Sequence, residues 1–302
     1  MASEKKNTKQ VSVIIVNYNT SKLLKQCLES LFKNTRDICF EVIVVDNNSQ
    51  DDSLRMLQKS FPMVMSITSG ENLGFGRANN LGVKYASGKY VFLLNSDTIV
   101  HNNVLKLFYE YMENHNDDRL GVVGCWLTDR VGNYNRSYGV FPSISTEILY
   151  TINKLKERIS SISCTAISEI MNVDYVNGAD LFIPLEVYHQ LSGFDPHFFM
   201  YYEETDLQFR MMKMGYERRV IDGPQITHLD GGSFDQKGLT PRRFEMSQKS
   251  FNYYAQKNYS TTYWLLFRLF LVIWRLSILV TMKRWTIKER WDAYIVVLLN
   301  KK

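Results

Sequence analysis

Three apolar runs in the first hundred residues end alike. VSVIIV, Val11 to Val16, leads into Asn17-Tyr18-Asn19-Thr20; Phe40 to Val45 leads into Asp46-Asn47-Asn48-Ser49; Tyr90 to Leu94 leads into Asn95-Ser96-Asp97-Thr98. Each run is short and rich in β-branched or aromatic residues, and each reads as a buried strand. Between them the apolar spacing becomes helical. Leu23, Leu24, Cys27, Leu28 and Leu31 mark one helix, a second is read from Asp51, a short strand spans Val64 to Thr68, and a third helix runs through Ala78, Leu81, Gly82 and Tyr85. Strands that alternate with helices pair in parallel and carry helices on both faces. Such a sheet binds ligands beyond the carboxyl ends of its strands, where all three polar turns fall.

Past Leu120 the rhythm loosens into a strand to Leu127, a polar loop through Arg136, a helical patch from Glu147 to Ile159, and a strand from Val173 to Ile183 broken by Asn177-Gly178-Ala179. No linker rich in Pro, Gly or Ser separates the halves, so the second is expected to pack on the first. At 302 residues and 45% hydrophobic content the chain can bury a large core. The opening MASEKKNTKQ holds no apolar segment of the secretory type, and a cytosolic main domain is expected. Cys27, Cys39, Cys125 and Cys164 lack metal-ligand spacing and read as reduced thiols.

Charge is concentrated at the far end. Residues 261–302 hold eight basic residues against Glu289 and Asp292, a surplus of six; with a net charge of +5 overall, the remainder stands at −1. A nucleic-acid protein would carry its basic footprint on the main domain, so the tail points to an anionic surface instead. Tyr263 to Met282 is about as long as a bilayer is thick. Its dozen strongly apolar residues, at roughly −0.3 to −0.6 kcal/mol each, are nearly offset by two arginines at up to about +3 each. Arg268 and Arg275 are seven apart, hence on one face, and Trp264, Trp274 and Trp285 suit an interface. A helix lying in the membrane surface is favoured over a spanning one; a helix packed on a soluble core is the third reading.

Asp97 closes a strand at the ligand edge, where a short acid can reach a cation that itself holds a diphosphate. The same residue also suits an N-cap or Asx turn before a helix read from near His101. His228 follows an apolar run and is either a satisfied polar residue or a ligand. Glu203, Glu204 and Asp206 crowd the first turn of a helix with a Leu207, Met211, Met214 stripe, where carboxylates are stabilised and Asp206 can pair with Arg210. Three acids in four residues exceed what capping needs, and they follow an aromatic loop, Gly193 to Tyr202, suited to stacking on a sugar. A glycoside hydrolase would leave Asp46 and Asp97 without purpose. The glycines at 74 and 76 follow the third strand, so they are not a dinucleotide fingerprint. "NYNTSKLL" is not the Gly- and Arg-rich loop of a nucleotidyltransferase.

VSVIIVNYN with VVDNNSQDDS, then NLGFGRANNLGV, LLNSDT, VNGADLFIP, GFDPHFFMYYEETDLQFR and THLDGGS occur in this order across residues 11–258. Together they resemble the family 2 glycosyltransferases, in particular the bacterial rhamnosyltransferase-like members that extend polysaccharides on lipid carriers. The resemblance implies a GT-A fold, a Rossmann-like, mainly parallel α/β sheet flanked by helices. The expected division is a polar tail at 1–10, a nucleotide-binding half at about 11–128, an acceptor half at about 129–258, and an amphipathic, membrane-associating helical extension at 259–302.

The resemblance also implies roles. Asn17, Tyr18 and Asp46 would line base and ribose, with Asp46 accepting the N3–H of uracil or thymine, and Asn48 beside them. Gly74 and Gly76 would allow close backbone approach to the nucleotide, with Phe75 between them and Arg77 or Asn79 on phosphate or ribose. Asn95, Ser96 and Asp97 would continue the donor site with Gly178 and Ala179. Asp97 matches the last acid of the family's D-x-D, Asn95 stands where many relatives carry the first, and His228 would join Asp97 on Mg²⁺ or Mn²⁺. Glu204 holds the place of the catalytic base, where Asp is commoner, with Glu203 and Asp206 as further candidates. The implied enzyme is an inverting glycosyltransferase on the cytoplasmic face of the cell membrane. It would move a sugar such as rhamnose from a dTDP- or UDP-sugar to a lipid-linked or saccharide acceptor, meeting anionic membrane and no nucleic acid. The alternative is an inactive nucleotide-sugar-binding or scaffold subunit of a glycan assembly complex.

Overall fold

The three runs become neighbouring strands of one sheet. A computed structural model describes residues 9–115, 119–135, 137–157, 170–229, 240–282 and 284–299. Cys164, Lys283, Lys301, Lys302 and the end of the THLDGGS motif from Asp230 onward lie outside the described residues. In chain order the first half is β1 (Val11–Asn17), α1 (Ser21–Asn34), β2 (Phe40–Asp46), α2 (Ser53–Ser60), β3 (Met65–Thr68), α3 (Phe75–Val83), β4 (Tyr90–Asn95), β5 (Thr98–Val100) and α4 (Val104–Asn114). The second half is β6 (Leu120–Thr128), β7 (Tyr138–Gly139), α5 (Ile144–Glu157), β8 (Met171–Asn172), β9 (Tyr175–Val176), β10 (Asp180–Pro184), α6 (Leu185–Gln190), α7 (Glu203–Lys213) and β11 (Glu217–His228). The C-terminal helices are α8 (Pro241–Asn258), α9 (Thr261–Trp274), a 3₁₀ turn (Arg275–Ser277), α10 (Ile278–Thr281) and α11 (Ile287–Leu299).

The sheet order is β3-β2-β1-β4-β10-β6-β11-β5, with β8 on β11. Register sets the site, because Asn17 lies opposite Asp46 and Val16 opposite Asn95, which brings three polar strand ends to one edge. Side chains alternate across the strands. Val13 and Ile15 enter a cluster with Leu24, Leu28 and Phe108, while Ile14 and Ile43 enter another with Val83, Val187 and Leu207. Each such burial contributes about 1.5–3 kcal/mol.

Parallel pairing holds from β3 through β4 and for β6 with β11, but β10 runs antiparallel to both its neighbours. It follows β9, which belongs to a separate two-stranded sheet with β7, through the short turn at Asn177–Ala179. The helix read from near His101 begins at Val104, and β5 intervenes. Asp97 therefore sits in a turn between two strands and caps no helix.

At the C-terminus Phe251, Tyr254, Trp264, Phe267, Leu271 and Trp285 share a third core. This corrects the interfacial reading of the tryptophans: Trp264 and Trp285 are 5% and 7% exposed, consumed by packing on α8 and α11. Nor do the two arginines share an outward face. Arg275 pairs with Glu147 of α5 at 3.2 Å, and Arg268 donates to the Leu298 carbonyl at 2.9 Å. Thr261–Thr281 is long and apolar enough to cross a membrane, yet one side of it packs in this core. Its other side presents Leu265, Leu269, Ile273, Leu276 and Val280 outward, and α11 does the same with Ile287, Trp291, Ile295 and Leu298.

Candidate active site

The strand-end turns of β1, β2 and β4 are stitched together by short side chains. Asn17 donates to Asp46 Oδ1 at 2.9 Å and to Ser49 Oγ at 3.0 Å, and the Ser49 amide donates to Asp46 Oδ2 at 3.0 Å. Thr20 donates to Asn17 Oδ1 at 2.7 Å and lies 3.0 Å from Ser96 Oγ. Asn19 and Asn48 take left-handed backbone, which asparagine tolerates better than most residues. Asn17 and Asp46, the residues expected at base and ribose, bond to each other here. Both are fully buried and build the turn, which leaves the half-exposed Tyr18 and Asn48 on the open side.

Sequence reasoning passed over Asn47, which holds the next loop. Its side chain accepts from Leu73 N at 2.8 Å and donates to Asn72 Oδ1 at 3.0 Å. The glycines serve a different neighbour from the one expected. Gly74 has φ +77°, and a Cβ there would lie 2.0 Å from the Phe199 carbonyl; at Gly76 one would lie 3.0 Å from Phe194 Cβ. They admit the protein's own 194–199 loop. Asn79 is buried and donates to Phe75 O at 3.1 Å, while Arg77 donates to Leu73 O at 2.7 Å and remains half-exposed.

At the β4–β11 edge, His228 Nε2 lies 3.2 Å from Asp97 Oδ1 and 3.4 Å from Asn95 Nδ2. The pairing of β11 with β5 sets His228 opposite Thr98, which explains why two residues 131 positions apart meet. Among the described residues no group of three His, Cys, Asp or Glu side chains is arranged to hold a metal ion. Beneath them lies Asp180, also missed, which is 0% exposed and accepts from Cys125 N at 2.7 Å. Burial pushes its carboxyl up to about 7, opposed by the Cys125 hydrogen bonds and the charge of His228. The only sequence signal for Asp180 was a carboxylate inside an otherwise apolar strand.

The three acids of α7 divide by environment. Asp206 is 0% exposed and accepts from Arg210 at 2.9 Å, Lys257 at 2.8 Å and Asn258 at 2.9 Å, so it ties α7 to α8 and takes no place on the open edge. Glu203 is 3% exposed, and its Oε2 has no hydrogen-bond partner among the described residues. Burial first, and the charge of Glu204 second, hold its carboxyl well above the usual range. Glu204 is half-exposed. Gln208, a further residue that sequence reasoning missed, fixes this turn: its amide bonds both ways to the Val176 backbone at 2.7 and 2.8 Å and donates to Glu204 O at 3.2 Å.

Gly178 joins the two sides. Asn95 N donates to Ala179 O at 3.0 Å, and a Cβ on neighbouring Gly178 would stand 3.6 Å from the Phe75 ring and 3.8 Å from Glu204 Cβ. An acid, an aromatic ring and a carboxylate–imidazole pair thus border one open edge. Such a place suits proton removal on one side and anion stabilisation on the other.

Residues 12–173 match the family described as Glycosyl transferase family 2. Rhamnosyltransferase WbbL of Escherichia coli (strain K12) is 26% identical over 260 residues, covering 82% of this chain and 93% of WbbL. Residues 1–349 of S. aureus TarS superimpose with a TM-score of 0.55 at 16% identity, over 96% of this chain and 71% of that one. The mannosyltransferase PcManGT from Pyrobaculum calidifontis, in complex with GDP-Man and Mn²⁺, gives a TM-score of 0.55 at 15% identity, over 98% and 76%. Several further matches are glycosyltransferases of which this chain spans half or less.

Proposed function

The chain belongs to glycosyl transferase family 2 and has the GT-A fold, and from that premise we propose that it moves a sugar from a nucleoside diphosphate to an acceptor hydroxyl with inversion, using Glu204 as base. The observation that supports this reading is the junction at Gly178–Ala179, where Ala179 O accepts from Asn95 N two residues before Asp97 and a Cβ on Gly178 would stand 3.8 Å from Glu204 Cβ. The acceptor oxygen bonds to the anomeric carbon as the bond to the diphosphate oxygen breaks. Glu204 takes the hydroxyl proton, and the nucleoside diphosphate leaves with the bonding pair from the opposite face. Burial and the charge of Glu204 raise the Glu203 carboxyl well above its ordinary value, which disfavours a second charge directly beside Glu204.

A carboxylate oxygen and an imidazole nitrogen 3.2 Å apart fit a hard divalent cation. Asp97 and His228 would hold Mg²⁺ or Mn²⁺, with diphosphate and water supplying the other ligands, and the cation would neutralise the leaving diphosphate. Tyr18 and Asn48 would meet the base and ribose together with Asn17 and Asp46, and Arg77 would meet phosphate; the half-exposure of Tyr18, Asn48 and Arg77 supports this. The likeness to WbbL over nearly its whole length supports a rhamnosyl donor and a cell-surface glycan acceptor. The outward apolar stripes of α9 and α11, beside exposed Arg284 and Lys288, support seating on the anionic inner face of the membrane.

A thermal-shift screen against UDP-, dTDP- and GDP-sugars with and without Mn²⁺ tests the donor and the cation together. Asp97→Asn is expected to abolish most of the Mn²⁺-dependent shift and His228→Ala less of it, because only Asp97 brings formal negative charge. An undiminished Mn²⁺-dependent shift in Asp97→Asn would remove that residue from the cation.

A further inference from the structure

We propose that Tyr202 is a positioning residue for the acids of α7 and that the C-terminal helices hold it in place, so that residues beyond 260 belong to the machinery of transfer as well as to the membrane. The inference rests on the reading of Glu204 as base.

Tyr201 and Tyr202 have φ of 70° and 66°. Two successive bulky residues in the left-handed region are strained, and such strain persists only where the surroundings over-determine it. The strain falls at the residue from which α7 departs. Tyr202 is its N-cap, makes no side-chain capping bond, and accepts the Asp206 amide at 2.8 Å. The backbone angle at Tyr202 therefore sets the direction of the first turn, which carries Glu203 and Glu204.

What over-determines it comes from outside the sheet. The Tyr202 ring lies 5.6 Å from Phe251 and 5.7 Å from Tyr254, both on α8. Tyr202 and Phe251 also line a cavity of about 140 Å³ together with Glu147 of α5, Gln248 of α8, Leu271 of α9 and Arg275. The Arg275–Glu147 pair at 3.2 Å links the turn after α9 to α5 across this cavity. Glycine would have met the backbone angle without strain; a tyrosine there gives the neighbouring helices a ring to grip. Tyr202 packs against the core that Phe251 and Tyr254 of α8 share with Trp264, Phe267 and Leu271 of α9, so the inner side of the C-terminal helices backs the start of α7.

The test compares Arg275→Met, Tyr202→Ala, Tyr202→Phe and Glu204→Gln in the full chain. Amide hydrogen exchange over residues 201–208 needs no substrate. It should quicken about tenfold or more in Arg275→Met and Tyr202→Ala, stay at the parent rate in Tyr202→Phe, and leave residues 11–20 and 40–50 unchanged in all four. With dTDP-rhamnose as donor, Tyr202→Ala should lose about 10²-fold in kcat with donor KM unchanged, and Tyr202→Phe should keep both. Parent-rate exchange over 201–208 in Arg275→Met and Tyr202→Ala would overturn the proposal. Should Tyr202→Ala unfold, Arg275→Met alone decides. Glu204→Gln separates the two claims: parental exchange with lost turnover leaves the base in place whatever the tyrosine does, and parental turnover removes Glu204 as base while the exchange result stands.

Discussion

Asp180 opens β10 at a fully buried position. Burial pushes its carboxyl from an ordinary 3.8 up to about 7. Between those values the folded chain keeps a proton that the unfolded chain has released, so stability falls as pH rises through the window, by ~4 kcal/mol in full. Asp180→Asn removes the titration. Its unfolding temperature relative to the parent should therefore climb from about pH 4 to about pH 7; a constant difference would mean that Asp180 stays in one protonation state throughout. At this scale the sequence was legible where a polar residue broke an apolar pattern at a strand end, as at Asn17, Asp46 and Asp97. It was illegible where the partner came from far along the chain. Nothing near Gly74 announces the Phe199 carbonyl that excludes a side chain there, and nothing near Gln208 announces the Val176 backbone that it replaces as a strand partner.

Helix α7 shows how one element serves two masters. Its sequence places three acids in the first turn, and local rules assign all of them to capping. Tertiary structure separates them. Asp206, one turn in, faces α8 and is held by Arg210, Lys257 and Asn258, while Glu204 faces Gly178. The Arg210 partner was readable from i,i+4 spacing; Lys257 and Asn258 were not, because α8 is 51 residues away. Lys257→Met should cost about 1.5–3 kcal/mol, the worth of a hydrogen bond to a charged group, read from the urea midpoint; an unmoved midpoint would show that Arg210 and Asn258 suffice. The strand between Asn95 and α4 was hidden for a related reason. Thr98–Val100 is only three residues long and exists through its pairing with β11.

Across the whole molecule, the C-terminal helices form one body with the sheet domain on their inner side and an apolar surface on the outer. Composition revealed the surface but assigned it the wrong residues, since Trp264 and Trp285 bury and Leu265, Leu269, Ile273 and Trp291 do not. Leu269→Gln with Ile273→Gln should release the protein from anionic vesicles at an unchanged unfolding temperature; retained sedimentation with vesicles would place the membrane contact elsewhere. The account as a whole stands on Glu204 removing the acceptor's proton at an edge where the donor is bound independently. The measurement that reaches this most directly is donor binding and transfer in one preparation of Glu204→Gln, with Glu203→Gln beside it. Glu204→Gln should bind donor as the parent does and transfer about 10² to 10⁴ times more slowly, while Glu203→Gln, an amide in place of a buried acid whose carboxyl is raised well above its ordinary value, should chiefly raise the acceptor KM. Transfer abolished in Glu203→Gln and preserved in Glu204→Gln would contradict it.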